Sequence, residues 1–313
     1  MAVRVAILGA GGCFGQNLAM HLAGLGGYEV LGIGRAQPKA EPFTLGFDFD
    51  YRVRHLVRDF SAAWLDLRNF APAVVVNFAA QAGYVPQSWT YAEEYFETNT
   101  MLPVRLAARL HCRLIQIGSS EVYGSSERPL DESAPIRCSS PYAVSKAAAD
   151  LHLLTLSHPA TILRPSNCYC PGQALHRLIP RAVVAGLTGK KMPLNGNPRR
   201  SFLHALDLSR AIELLIRKNA YGVFNAGPEV PFEIREVVGA VARAMDLRLD
   251  DIAEPAQARE VEDDCYWIDS SKIRRLGWEQ GISPLDGIAD MVAWGRRYLE
   301  QLRGLPIEYQ FRP

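Results

Sequence analysis

No sign of charge dominates this sequence: 34 lysines and arginines face 33 aspartates and glutamates, a formal net charge of +1 with neutral histidines. That balance excludes a global basic field for nucleic acid or an anionic membrane. An anionic ligand would need a local site of oriented backbone amides and one or two arginines. Long apolar runs are missing too, and no segment approaches the ~20 residues of a membrane helix. The first apolar run, Val3–Leu8, is short, ends in glycine and reads as a buried strand, not as a signal peptide. The six cysteines are scattered and form no pair of CxxC motifs. A metal site and a disulfide framework are therefore not expected, and free thiols in a reducing cytoplasm are. Internal repeats and independent linkers are absent as well. With 48% hydrophobic and 21% charged residues, what remains is the composition of an ordinary globular chain.

Short apolar runs alternate with helical patterns. Val3–Leu8, Tyr28–Ile33, Ala73–Phe78, Arg113–Ile117 and Ala160–Leu163 read as buried strands. Leu18, Leu22 and Leu25 repeat at helical spacing, and Tyr91–Leu110 and Tyr142–Leu156 read as helices. This alternation predicts an α/β fold, a doubly wound parallel sheet covered on both faces. Proline and glycine become dense from Pro165 to Pro198, followed by helical patterns at Asp207–Lys218, Ile234–Met245 and Leu285–Leu302 and a strand near Val223–Ala226. The expected division is a dinucleotide-binding domain over 1–165 and a smaller C-terminal substrate-binding lobe over 166–313, part of which returns to the sheet.

The first strand runs directly into Gly9-Ala-Gly-Gly12-Cys13-Phe14-Gly15 and a helix. One glycine permits a tight turn, one lets a pyrophosphate reach the backbone, and one lets helix and strand pack closely. Phosphates would sit on the amides of the turn, Cys13 and Phe14 included, at the positive end of the helix dipole. The sheet is thus of the Rossmann type, with NAD or NADP as its cofactor. The second strand ends in Gly32-Ile-Gly-Arg35 without an acid. Arg35 leans the choice towards NADP, whose 2′-phosphate an arginine accommodates; a solvated arginine flanking the adenine is the other reading. Asp59-Phe60 is placed to meet the adenine amino group, with a helix N-cap as the alternative for Asp59.

The fifth strand delivers Ser119, Ser120 and Glu121, where the carboxyl ends of such strands face a cofactor. Further on, Tyr142 and Lys146 stand four apart and so share a helix face. An ammonium beside a phenol lowers its pKa, which makes the tyrosine an acid–base group near neutrality. Ser119 is positioned to hydrogen-bond the same substrate hydroxyl. With these residues in place the chain resembles the extended short-chain dehydrogenase/reductase superfamily, specifically its nucleotide-sugar epimerases and dehydratases. The resemblance also rests on Asn77-Phe-Ala-Ala-Gln81, Arg164-Pro-Ser-Asn167, Arg200-Ser-Phe-Leu-His204 and Tyr266-Trp-Ile-Asp-Ser-Ser-Lys272. It implies that Ala79, Ala80 and Gln81 line the cofactor with Asn99 behind them, and that Pro165 touches the nicotinamide. It implies further that Gln81, Ser120, Asn167 and Leu178 meet the substrate, that Arg200 and Arg259 pair with its diphosphate, and that Glu262 meets its ribose. Cys13 and Cys170 depart from the small residue and the glycine usual at those positions.

Glu121 separates the chemistries. Ser119-Ser120-Glu121 resembles the Thr-Ser-Glu of GDP-mannose 4,6-dehydratases and UDP-glucuronate decarboxylases. It also resembles the Thr-Asp-Glu of dTDP-glucose 4,6-dehydratases, without the aspartate. Oxidation of a sugar at C4 acidifies the C5 hydrogen, and a carboxylate beside C5 removes it; a simple epimerase needs no such base. A nucleotide-sugar 4,6-dehydratase is therefore the expectation. An epimerase, a 4-keto reductase, a decarboxylase and a non-catalytic NADP-binding regulator are the alternatives, and a capping or loop-anchoring role is the other reading of Glu121. The ligand would be a nucleotide-diphosphate sugar. By resemblance, Tyr91–Leu110 and Tyr142–Leu156 would build a homodimer.

Overall fold

The computed structural model describes residues 2–35, 42–43, 53–57, 60, 62–82, 85–157, 160–257 and 263–309. Its centre is a seven-stranded, all-parallel sheet. Six strands come from the first 165 residues: β1 (Val3–Leu8), β2 (Tyr28–Gly34), β3 (Val53–Val57), β4 (Val74–Asn77), β5 (Arg113–Ile117) and β6 (Thr161–Pro165). The seventh, Gly222–Ala226, pairs with the outer edge of β6, and the order is 222–226, β6, β5, β4, β1, β2, β3. The doubly wound sheet expected from the sequence is the fold observed. Both β2 and β4 flank β1, so the winding reverses beside β1 and opens a crevice at the carboxyl ends of the strands.

Alternation along β1 shows why its inner four residues are apolar. Val5 and Ile7 pack with the helices Cys13–Leu25 and Ala205–Arg217 on one face. Ala6 and Leu8 pack on the other face with Leu67, Phe70, Leu106 and Leu153. All four β1 residues are 1% exposed or less, which leaves no position for a polar side chain. A second core, built from Ile179, Val183, Val238, Val241, Met291 and their neighbours, holds the C-terminal helices together. No helix among the described residues is long and apolar enough to cross a membrane.

Two helical stretches differ from the sequence expectation. The span expected as one helix, Tyr91–Leu110, is Ala92–Phe96, a π-helical turn Glu97–Met101 and Leu102–Arg109. The extra residue in that turn turns Asn99 inward, where its amide holds the loop at Gln81. The span expected over Leu285–Leu302 is two helices, Pro284–Arg297 and Leu299–Arg303, parted at Tyr298. Short strand pairs in the second half were not legible at all. Asn167–Tyr169 pairs with Phe202–His204, and Arg199–Arg200 lies between Phe232–Glu233 and Cys265–Tyr266. These pairings bring Asn167, Arg200 and Tyr266 to the mouth of the crevice.

Candidate active site

A cavity of about 570 Å³ runs from the glycine turn to the C-terminal lobe. At its first end, β1 turns through Gly9 at φ +80°. A Cβ on Gly9 would lie 2.8 Å from the Ala79 amide nitrogen, and one on Gly15 would lie 2.5 Å from the Gly9 carbonyl oxygen. Only glycine allows the turn to press this closely on β4 and on its own helix. The helix Cys13–Leu25 begins at Gly12 with no side-chain cap, so its first amides face the crevice as an anion-binding end. Phe14 lines the cavity there. This cradle fits the pyrophosphate of a dinucleotide. Arg35 is exposed immediately after β2. Phe60 is half-buried against the sheet, and Asp59 lies outside the described residues.

The loop after β4 contributes Phe78, Ala80 and Ala82 to the cavity lining. Ala79 packs into the core of one sheet face instead. Gln81 is buried, with its backbone clamped by Asn99: the Asn99 Oδ1 accepts from the Gln81 amide at 2.8 Å and its Nδ2 donates to the Gln81 carbonyl at 3.0 Å. Pro165, the last residue of β6, lines the centre of the cavity.

The helix Pro141–Leu154 carries the tyrosine and the lysine. Ser140 caps it by accepting from the Ala143 amide at 3.2 Å, and proline at its first position suits the required φ. Tyr142 and Lys146 both line the cavity, as do Ser119 and Ser120. The Ser119 hydroxyl is hydrogen-bonded to the Tyr142 phenol and accepts from the Glu121 amide at 3.2 Å. The electrostatics differ from the simple tyrosine–lysine expectation. Burial raises the Tyr142 phenol above its ordinary value, the Glu121 carboxylate raises it further, and the bond from Ser119 opposes both. Lys146 Nζ donates to the Ile117 carbonyl at 2.7 Å, and burial pushes the ammonium down to about 8. The fourfold spacing aligns the two groups, but desolvation outweighs any lowering of the phenol by the ammonium.

Glu121 opens a short 3₁₀ turn, Ser120–Tyr123, directly after β5. Its Oε2 is buried and has no hydrogen-bond partner. Burial pushes the carboxyl up to about 7, against the guanidinium groups of Arg177 and Arg200 and with the Asp263 carboxylate. A carboxylate titrating there, beside a serine–tyrosine pair, is a base able to work near neutrality.

At the far end lie Asn167, Leu178 and Arg200. Arg200 stacks over Tyr266 with its guanidinium carbon 4.4 Å from the ring centre, and donates to the Arg199 carbonyl at 2.9 Å. Arg259 and Glu262 lie outside the described residues. Sequence reading missed Arg177, which precedes the helix Leu178–Thr188, donates to the Ala82 carbonyl at 2.9 Å and acts on both Glu121 and Tyr142. It also missed Asp263, which accepts from the Tyr266 hydroxyl at 2.6 Å. Neither sits at a motif spacing; only the folded lobe aims them here. The two departing cysteines, Cys13 and Cys170, meet: their side chains are hydrogen-bonded, and burial holds the Cys170 thiol protonated.

A family model described as the NAD dependent epimerase/dehydratase family matches residues 5–227. The dTDP-glucose 4,6-dehydratase of Streptomyces griseus is 33% identical over 239 residues, covering 72% of this chain and 72% of that protein. The crystal structure of DesIV, a dTDP-glucose 4,6-dehydratase from Streptomyces venezuelae with NAD bound, matches with a TM-score of 0.85 and 28% identity, covering 96% of this chain and 98% of that one. The UDP-glucuronic acid 4-epimerase of Bacillus cereus, in complex with UDP-glucuronic acid and NAD, matches in fold with a TM-score of 0.85 at 23% identity, covering 94% of this chain and 99% of that one.

Proposed function

We propose that this chain, which belongs to the NAD dependent epimerase/dehydratase family, is a nucleotide-sugar 4,6-dehydratase. The observation that carries the reading is Glu121, a carboxylate with a buried, unpartnered oxygen and a pKa near neutrality, in the same cavity as Ser119 and Tyr142. When bound, the nicotinamide cofactor accepts a hydride from the sugar and later returns it. The protein's own residues move the protons. Tyr142 in its phenolate form, which burial and Glu121 disfavour, takes the proton of the C4 hydroxyl while Ser119 holds its oxygen. Lys146 supplies the positive charge at the nicotinamide ribose and behind the phenol. Glu121 removes the C5 proton made acidic by the C4 ketone. Ser120 is not an acid, so Glu121, once protonated, is also the group that hands a proton to the departing C6 hydroxyl.

The glycine turn holds the pyrophosphate of the cofactor, and Arg200, Asn167, Leu178 and Arg259 the substrate side, with Glu262 at its ribose. NAD is the cofactor we assign. Two solved dTDP-glucose 4,6-dehydratases of this fold are complexes with NAD, and Arg35, exposed at the end of β2, has no comparable support for NADP. Titration of the protein with both dinucleotides tests this, and tighter binding of NADP would reverse it.

A second reading, a decarboxylase of a nucleotide-linked uronic acid, draws on one observation: Arg177 and Arg200 both act on Glu121, a cationic setting suited to a sugar carboxylate. Incubation with a panel of nucleotide sugars and mass analysis of the products separates the readings. Loss of water is expected. Loss of carbon dioxide establishes the second reading, and an unchanged mass or a gain of two hydrogens removes both.

A homodimer is part of the proposal. Val144 and Leu151, one stripe on the helix Pro141–Leu154, are 41% and 53% exposed, and Met101 on the neighbouring π turn is 40% exposed. Burying such side chains is worth about 1.5–3 kcal/mol each. Leu151→Asp is expected to give a monomer by light scattering with an unchanged circular dichroism spectrum. A wild-type monomer would end this part of the proposal.

A further inference from the structure

A buried carboxylate lies one helical turn beyond Lys146 and has no part in the proton transfers above. Asp150 is 0% exposed, and its spacing of four from Lys146 puts both side chains on one face of the helix Pro141–Leu154. Its Oδ2 accepts from Arg164 Nε at 2.8 Å, whereas its buried Oδ1 has no hydrogen-bond partner. Arg164 is itself fixed: its Nη1 donates to the Tyr123 hydroxyl at 2.8 Å, and that hydroxyl donates to Asn225 Oδ1 at 2.9 Å. Room for the pair exists because residue 118 is glycine. A Cβ there would lie 3.1 Å from Arg164 Cγ and 3.2 and 3.3 Å from the two Asp150 oxygens. Gly118 also joins Ile117, whose carbonyl holds Lys146, to Ser119.

A half-satisfied buried carboxylate is costly, and the bond to Arg164 leaves one of its oxygens without a hydrogen-bond partner. Burial raises the Asp150 carboxyl while the paired Arg164 holds it ionised, and besides Arg164 the charge acts on the Lys146 ammonium and the Cys138 thiol. We propose that Asp150 is a positioning residue that holds the Lys146 ammonium in its charged form inside the closed cavity. The inference rests on the proposed role of Lys146 as a cation.

The surrounding charges leave this work to Asp150. Lys146 has Tyr142 and Asp150 on its own helix and the Ile117 carbonyl from β5. Asp150 is met by Arg164 from β6, and it acts on the Cys138 thiol. The Tyr123 phenol is engaged with Arg164. Glu121, Arg177 and Arg200 lie on the Tyr142 side. Desolvation drives the proton off Lys146, and Asp150 is the charge that opposes it. Removing that charge must let Lys146 lose its proton at lower pH.

The test reads Lys146 directly. Full-length protein labelled with ¹³C-lysine is titrated by NMR, with the signal assigned through Lys146→Arg. The expected midpoint is near 8 in the wild type. In Asp150→Asn it should fall by a unit or more, taking the charged fraction at pH 8 from about half to under about a tenth. Asp150→Glu should restore it. Should Asp150→Asn not fold, Asp150→Asn/Arg164→Gln removes both ionic partners together and is read in the same way, with the same downward shift expected. An unmoved midpoint in the folded variant overturns the inference. A moved midpoint in a protein that turns over no nucleotide sugar upholds the coupling and overturns the dehydratase reading instead.

Discussion

Glu121→Gln is expected to lower turnover by roughly 10²–10⁴-fold, the range for loss of a positioned acid–base group, and to abolish incorporation of solvent deuterium at C5. Reduction of the bound cofactor by the C4 oxidation step should survive, because that step belongs to Tyr142 and Ser119. Deuterium exchange persisting at the wild-type rate would remove Glu121 as the base. The same substitution has the opposite effect on stability. The folded carboxyl is raised from 4.5 to about 7, so the native state binds this proton more tightly than the unfolded chain does. Its contribution is fully present below about 4.5 and is lost as pH rises through 7. A rise of that size corresponds to at most on the order of 3 kcal/mol. Between pH 5 and pH 8, thermal melts should therefore move in favour of the glutamine variant by up to that amount. On the proposed roles, wild-type activity needs Glu121 ionised and Lys146 charged, besides the phenolate form of Tyr142 that burial disfavours across the whole range. The pH–rate profile should be a narrow bell, falling below about 7 and above about 8.

That divergence between activity and stability was only half legible in the sequence. Ser119-Ser120-Glu121 and the Tyr142–Lys146 spacing pointed to residues that the fold brings into one cavity, because strand ends and helix faces are local features. Their electrostatics were not local. Lys146 beside Tyr142 suggested a lowered phenol, yet the closed cavity desolvates both groups and the Glu121 carboxylate adds to the rise. The main sheet was readable because the runs Val5–Leu8 and Leu114–Ile115 are buried on both faces and apolar. The lobe was less so, since strands of two or three residues such as Arg199–Arg200 carry no period of their own and exist only through their partners. Arg177 and Asp150 escaped notice for the same reason: what each side chain meets is set by elements distant in the chain. The π turn at Glu97–Met101 likewise has no sequence signal beyond Asn99, whose partners are Gln81 and Ser145.

Gly12 and Gly15 of the first turn look alike in sequence and should fail differently when changed. Gly15→Ala drives a methyl to 2.5 Å from the Gly9 carbonyl oxygen and 2.8 Å from the Ala10 Cα. Both are backbone atoms that no rotamer can withdraw, so the first turn of the helix Cys13–Leu25 must move away from β1. A cost of about 1–3 kcal/mol or more follows from overpacking, together with loss of cofactor binding. Gly12 is another matter. Its φ of −82° suits any residue, and a methyl there meets only the Gly9 carbonyl oxygen, at 3.3 Å. Gly12→Ala should fold, losing at most about 1 kcal/mol at the helix cap. Its dinucleotide affinity should nevertheless fall at least ~10-fold, a penalty of about 1.4 kcal/mol, because the methyl occupies the path by which a pyrophosphate reaches the helix amides. Paired thermal melts and NAD titrations of the two variants separate the effects. If Gly12→Ala binds NAD as tightly as the wild type, the pyrophosphate does not lie on this turn. The chain itself gives position 12 only the Gly9 carbonyl and the helix cap as reasons to lack a side chain, so on the proposed reading the larger obstacle to a methyl there is the ligand.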